Sequence, residues 1–88
     1  MDLHSQLSAL IDLAESLGIM IRRAPPADES ADHPGGALVR LKGKEMLFLD
    51  PTASVADQIT VAAGALRGRA ELDNMFLPPE IRERLDQA

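Results

Sequence analysis

The side chains able to do chemistry in this chain are few and scattered. Histidine occurs only at His4 and His33. Neither has a second histidine one helical turn away, and a zinc centre needs three or four converging ligands, so both read as surface residues. Cysteine is absent, which excludes a thiolate metal site, a thiol nucleophile and a disulfide framework together. Asp28, Glu29 and Asp32 lack the Asp-x-Asp-x-Asp-Gly spacing of a calcium loop and read as solvated loop acids. Ser5, Ser8, Ser16, Ser30 and Ser54 have no Gly-x-Ser-x-Gly elbow around them. Gly35-Gly36 and the stretch from Gly64 to Gly68 do not make a phosphate-binding loop, which requires Gly-x-x-x-x-Gly-Lys followed by Ser or Thr. One carboxylate, Asp50, stands at a strand end, where catalytic groups often sit. With Pro51-Thr52 behind it, it reads more simply as a turn former bonded to nearby backbone. The residues thus assign no catalytic, cofactor-binding or metal site.

Bulk properties narrow the classes further. Eighty-eight residues make one small domain, spanning 1–88. A chain of this size buries only a little over ~60% of the surface its unfolded form exposes. Without disulfides or metal, oligomerisation is the favoured way to reinforce such a core. The core must be aliphatic, because Phe48 and Phe76 are the only aromatics. A net charge of −5 opposes non-specific nucleic-acid binding. Five of the nine basic residues, Arg22, Arg23, Arg40, Lys42 and Lys44, fall in one strand-rich stretch. They suit either a positive rim facing an acidic surface or charges that guard strand edges. No apolar run is long enough for a membrane span, and the N-terminus lacks a secretory pattern, so a cytoplasmic protein is expected.

The elements follow from periodicity and punctuation. Leu3, Leu7, Leu10, Ile11, Ala14 and Leu17 recur at helical spacing, between a capping Asp2 and a terminating Gly18. Ile19 to Arg23 reads as a first strand. Residues 25–36 are acidic and broken by Pro25-Pro26 and Pro34-Gly35-Gly36, and are expected to be a mobile loop. Ala37–Leu41 and Glu45–Leu49 form a hairpin. A two-residue Lys42-Gly43 turn sets Arg40 opposite Glu45, an opposite-charge pair, at the cost of a positive φ at Lys42. One face then carries Leu38, Leu47 and Leu49, and the other Val39, Met46 and Phe48. Both faces are partly apolar, so the second needs a cover. Ser54 with Asp57 opens a helix whose small-residue stripe is Val55, Ile59, Ala62, Ala63 and Leu66. Residues 69–88 hold Leu72, Met75, Phe76 and Leu77 and a short helix begun by Pro79.

This order resembles the minimal core of the small zincin-type metallopeptidase domains found beside phage-type repressors. In that family a hairpin ending in an Asn/Asp-Pro turn leads into a helix carrying Ala-His-Glu-x-x-His. Asp50-Pro51 through Ala63 is similar in spacing. The alignment puts Gly64 at the first histidine, Ala65 at the glutamate and Gly68 at the second histidine. The resemblance therefore implies a scaffold without zinc, activated water or general base.

The expected fold is α+β: a three-stranded, mainly antiparallel sheet with two helices on one face and a short C-terminal helix. The other face is expected to be covered by the C-terminal segment, by a second copy, or by both. The expected function is a non-enzymatic, homodimeric interaction or scaffold protein with no cofactor, whose interface draws on Leu38, Leu47, Leu72, Met75, Phe76 and Leu77. Two alternatives come from other classes. One is a small-molecule-binding module with a pocket between sheet and second helix, where Gly64 and the alanines leave room. The other is a metal-dependent hydrolase using Asp50 or the acidic loop.

Overall fold

A computed structural model describes residues 1–23 and 35–87. Most of the expected acidic loop, including Asp28, Glu29, Asp32 and His33, lies outside the described residues. Helix α1 spans Leu3–Ser16. Its first turn is closed by Asp2, whose Oδ1 accepts from the Ser5 N–H at 2.7 Å. Its last turn ends in a left-handed Gly18, with Gly18 N–H donating to the Glu15 carbonyl at 3.0 Å and Ile19 N–H to the Ala14 carbonyl at 3.1 Å. Those two bonds satisfy carbonyls the helix leaves orphaned, and only glycine enters that conformation without strain.

Three strands follow: β1 (Met20–Arg23), β2 (Gly36–Leu41) and β3 (Lys44–Leu49). The sheet order is β1-β3-β2, so β3 is central. The β2–β3 pair is antiparallel and β1 runs parallel to β3. The sheet is therefore mixed rather than mainly antiparallel. The chain after β1 crosses to the far edge before the hairpin returns β3 between the two, in the direction of β1. The hairpin has the expected register, with Arg40 opposite Glu45 and Leu41 opposite Lys44. Lys42 and Gly43 both take positive φ, 53° and 77°, as a two-residue hairpin turn twisted to match its strands demands. At the other end of the hairpin, Gly36 lies against β3 so closely that a Cβ would sit 1.8 Å from the Phe48 carbonyl oxygen.

Helix α2 spans Val55–Leu66, with the Ser54 hydroxyl accepting from the Asp57 N–H at 3.0 Å. A 3-10 turn over Ala70–Asn74 leads to α3, Pro79–Gln87. Helix α1 lies on β1, α2 on β2 and β3, and the two helices pack on each other. Their shared layer covers the sheet face that carries Leu47 and Leu49, both fully buried. The core is aliphatic throughout, with Leu10, Ile59, Leu66 and Ile81 its other fully enclosed large side chains.

The C-terminal segment packs on the helical side. Helix α3 contacts α1 and α2 and no strand among the described residues. Its Ile81 and Leu85 fill the helical layer, and Arg84 Nε donates to Gln6 Oε1 of α1 at 2.8 Å. The shortest principal extent of the molecule is 18 Å, room for one sheet and one helical layer.

Candidate interaction surface

Asp50, Ser54 and Ser16 are already occupied with holding local structure. Asp50 Oδ1 accepts from both the Thr52 hydroxyl at 2.6 Å and the Thr52 N–H at 2.9 Å. Those two bonds, the hydroxyl first, hold its carboxyl below the usual aspartate range. It is a turn carboxylate, with Ala53 N–H closing the turn onto its own carbonyl at 3.1 Å. Ser54 caps α2, and the Ser16 hydroxyl donates to the Leu13 carbonyl at 2.6 Å. His4 is exposed in the first turn of α1. Among the described residues no three histidine or acidic side chains converge on a point where a metal would sit.

The space imagined between sheet and α2 is not opened by Gly64. That residue faces solvent, and a Cβ built on it meets nothing within 4 Å. The inward side of α2 is filled by Ile59, Ala62, Ala63 and Leu66. Gly68, aligned with the second zincin histidine, lies beyond the end of α2 with φ at 80°. A shallow depression of about 350 Å³ near the C-terminal segment is lined by both cations and carboxylates, among them Arg69, Asp73, Arg82 and Asp86.

The six residues expected at an interface separate into three groups. Leu47, Leu72 and Leu77 are buried within the chain's own core, so they present no surface to a partner. Leu38 and Met75 are half-buried against that core. Phe76 alone stands in solvent, 92% exposed. Leu38 and Leu47 went inward because their strand parity points at α1 and α2. Leu72 and Leu77 did so because the last helix folds back onto the first two.

The exposed apolar side chains of the sheet lie on the opposite parity. Met20, Val39 and Leu41 are 49%, 40% and 68% exposed, with Met46 and Phe48 half-buried beside them. The register puts them all on the side away from the helices, because side chains alternate along a strand. Arg22 and Lys44 share that side, and no acidic residue of the three strands does. Arg40, by contrast, belongs to the helix-side parity and donates to Glu45 Oε2 at 3.4 Å. No described element packs on the open side. Val39, Met46 and Phe48 were legible there from the hairpin parity. Leu41, two residues beyond Val39 on β2, shares that parity, whereas Met20 joins the face only through the parallel pairing of β1.

Comparison with protein-family models, with curated proteins and with solved structures finds no match to this chain. No described helix is long and apolar enough to cross a membrane.

Proposed function

We propose that this chain is a non-enzymatic, cytoplasmic interaction domain that self-associates as a homodimer through the open face of its sheet. The observation that carries the reading is that face itself. It is a contiguous apolar surface made by Met20, Val39, Leu41, Met46 and Phe48, with no described element over it. Such patches on small domains mark association sites, because leaving them wet forgoes the stabilisation that burial gives. A domain this small also gains most from a second copy, since its own core encloses little. Arg22 on the edge strand β1 discourages indiscriminate strand pairing there, and Lys44 on the central strand adds a second cation to the face. On this reading the zincin resemblance is one of scaffold alone, with Gly64, Ala65 and Gly68 where the catalytic set would stand.

The experiment is sedimentation of the full chain over a dilution series, beside the variant Val39→Asp. Val39 is exposed, so a carboxylate there leaves the fold intact but desolvates badly in an interface. The expected result is a wild-type dimer that dissociates on dilution and a monomeric variant with unchanged circular dichroism. A wild-type chain that stays monomeric at the highest attainable concentration overturns the reading.

A further inference from the structure

The two edges of the sheet are not guarded alike. Strand β1 is four residues long and carries Arg22 and Arg23, a short charged edge of the kind that resists further pairing. Strand β2 is six residues long, holds no proline and has Arg40 as its one charged residue. Which of its backbone groups face outward follows from a single bond. The Asp50 N–H donates to the Gly35 carbonyl at 2.9 Å, so these two residues form a hydrogen-bonded pair. Bonded and non-bonded pairs alternate along an antiparallel ladder, so Ala37, Val39 and Leu41 turn their backbone groups to β3. The N–H and C=O groups of Gly36, Leu38 and Arg40 point the other way, toward an edge on which no described strand pairs.

The two ends of that edge differ in charge. At the hairpin turn stand Arg40, Lys42 and Lys44, with the nearby Glu45 gripped by Arg69. At the Gly36 end stand Asp50, bonded to Gly35, and Asp57, whose carbonyl packs so closely on Gly35 that a Cβ would not fit. From Met46 to Leu66 the chain has no basic residue. Arg22 and Arg23 reach this end of the sheet only on the far edge, along β1. An antiparallel neighbour of the same sequence therefore sets basic end against acidic end, once in each direction.

We infer that β2 pairs antiparallel with β2 of a second copy about a two-fold axis at Leu38, joining two three-stranded sheets into one continuous sheet. In this register Leu38 lies opposite Leu38 of the other copy, and Gly36 lies opposite Arg40. Every outward N–H and C=O of both strands is then paired, and Arg40 enters where Gly36 has no side chain, beside Asp57. The contact goes beyond the face-to-face homodimer and uses different atoms, the backbone groups of one edge. Its axis is normal to the sheet, whereas the axis of a face-to-face pair lies parallel to the sheet. Perpendicular axes that cross close a tetramer. One edge contact by itself is weak, because its hydrogen bonds replace bonds to water and net little against the entropy of association. Two face dimers make it twice, and the second contact forms within an assembly already held by the first.

The test follows sedimentation and amide hydrogen exchange of the full chain from concentrated to dilute solution. The wild type is expected to pass from tetramer to dimer on dilution. The Leu38 and Arg40 amides should lose protection in that step, while those of Val39 and Leu41, bonded to β3, keep theirs. Arg40→Pro removes an outward N–H that β3 does not use, so the ladder within one copy survives. It is expected to weaken the dimer-to-tetramer step at least about 30-fold, with circular dichroism and the dimer unchanged. Arg40→Ala, which keeps the N–H, should weaken that step less. A wild type that stops at the dimer, with Leu38 and Arg40 amides in fast exchange at every concentration, overturns the inference and leaves the face reading standing. So does an Arg40→Pro chain that forms tetramers as the wild type does. Protection of those two amides in monomeric Val39→Asp would mean that the chain covers its own edge, and also overturns it. A wild type that is monomeric throughout overturns both readings.

Discussion

Arg69 grips Glu45 across 24 residues of sequence in a two-pronged ion pair, Nη1 donating to Oε1 at 2.8 Å and Nη2 to Oε2. The same guanidinium donates from Nε to the Ala65 carbonyl at 2.9 Å. One planar group therefore joins the last turn of α2 to the turn end of the hairpin, with both side chains largely shielded from water. Forked geometry of this kind fixes direction as well as distance, which a lysine would not do. The strut holds β3 in place where it leaves the Lys42-Gly43 turn, at the end of the sheet farthest from Gly36.

The pair gives the fold a defined sensitivity to acid. Hydrogen bonding from Arg69, helped by the charges of Arg69 and Arg40, lowers the Glu45 carboxyl from 4.5 to about 2. A group whose pKa is depressed by folding contributes stability that is complete above its unfolded value and is lost as pH falls through its folded value. Melting temperature should therefore drop between pH 4.5 and about 2 more steeply in the wild type than in Glu45→Gln. At neutral pH the variant should be the less stable of the two. Parallel melting curves across that window would show that the strut contributes nothing to stability.

Two glycines make opposite forecasts. Gly36 has φ at 136°, and its absent Cβ makes room for the Phe48 carbonyl. Gly36→Ala must push β2 off β3, and thermal melting should show a broad loss of stability or no cooperative transition. Gly64 sits in the solvent-facing interior of α2 with open space around it. Gly64→Ala should stabilise by about 1 kcal/mol, since glycine is costly inside a helix. In a domain of this size that raises the melting temperature by about 4–8 °C. A destabilised Gly64→Ala would reveal a neighbour that the described residues do not show.

Where the sequence was legible, local chemistry had already decided the outcome. Asp2 and Gly18 bound α1 because capping depends on residues a few positions apart. The hairpin register followed from the charges of Arg40 and Glu45, and Lys42 accepted the positive φ that this register required. The failures were all of partnership. β-branched composition announces β1 but does not say that it runs parallel to β3 and not beside β2. The apolar positions of the tail announced burial, yet the spacing of Leu72, Leu77, Ile81 and Leu85 does not say against what. They closed the helical layer instead of the open sheet face. Arg69 gave no signal at all, because a forked pair 24 residues apart is created only by the fold.

Removing the cap of α2 should give an uncommon order of effects. The Ser54 hydroxyl satisfies the Asp57 N–H. Ser54→Ala leaves that donor without its partner and should cost about 1 kcal/mol, whereas Ser54→Gly should cost only a few tenths, because glycine lets water and backbone replace the cap. Denaturant midpoints at constant slope measure both. Equal losses in the two variants would mean that the hydroxyl is not what holds the first turn.

The tail is a structural part of the single chain, and Ile81 tests this most directly. Its side chain is enclosed in the layer formed with α1 and α2, next to the Arg84–Gln6 bond that fastens the two ends of the chain. Ile81→Ala should destabilise by about 2–5 kcal/mol through lost burial and the cavity left behind. That is a large share of the total for a domain whose stability falls in the usual range of about 0.05–0.15 kcal/mol per residue. The loss should be the same at low and high protein concentration, since Ile81 is buried within one copy. Phe76, five residues upstream and in solvent, should show no such loss: Phe76→Ser leaves the monomer as stable as before. Denaturant unfolding of both variants at two concentrations separates the cases. A concentration-dependent loss in Ile81→Ala would mean that α3 packs on a neighbouring copy, and the helical layer described for one chain would then belong to two.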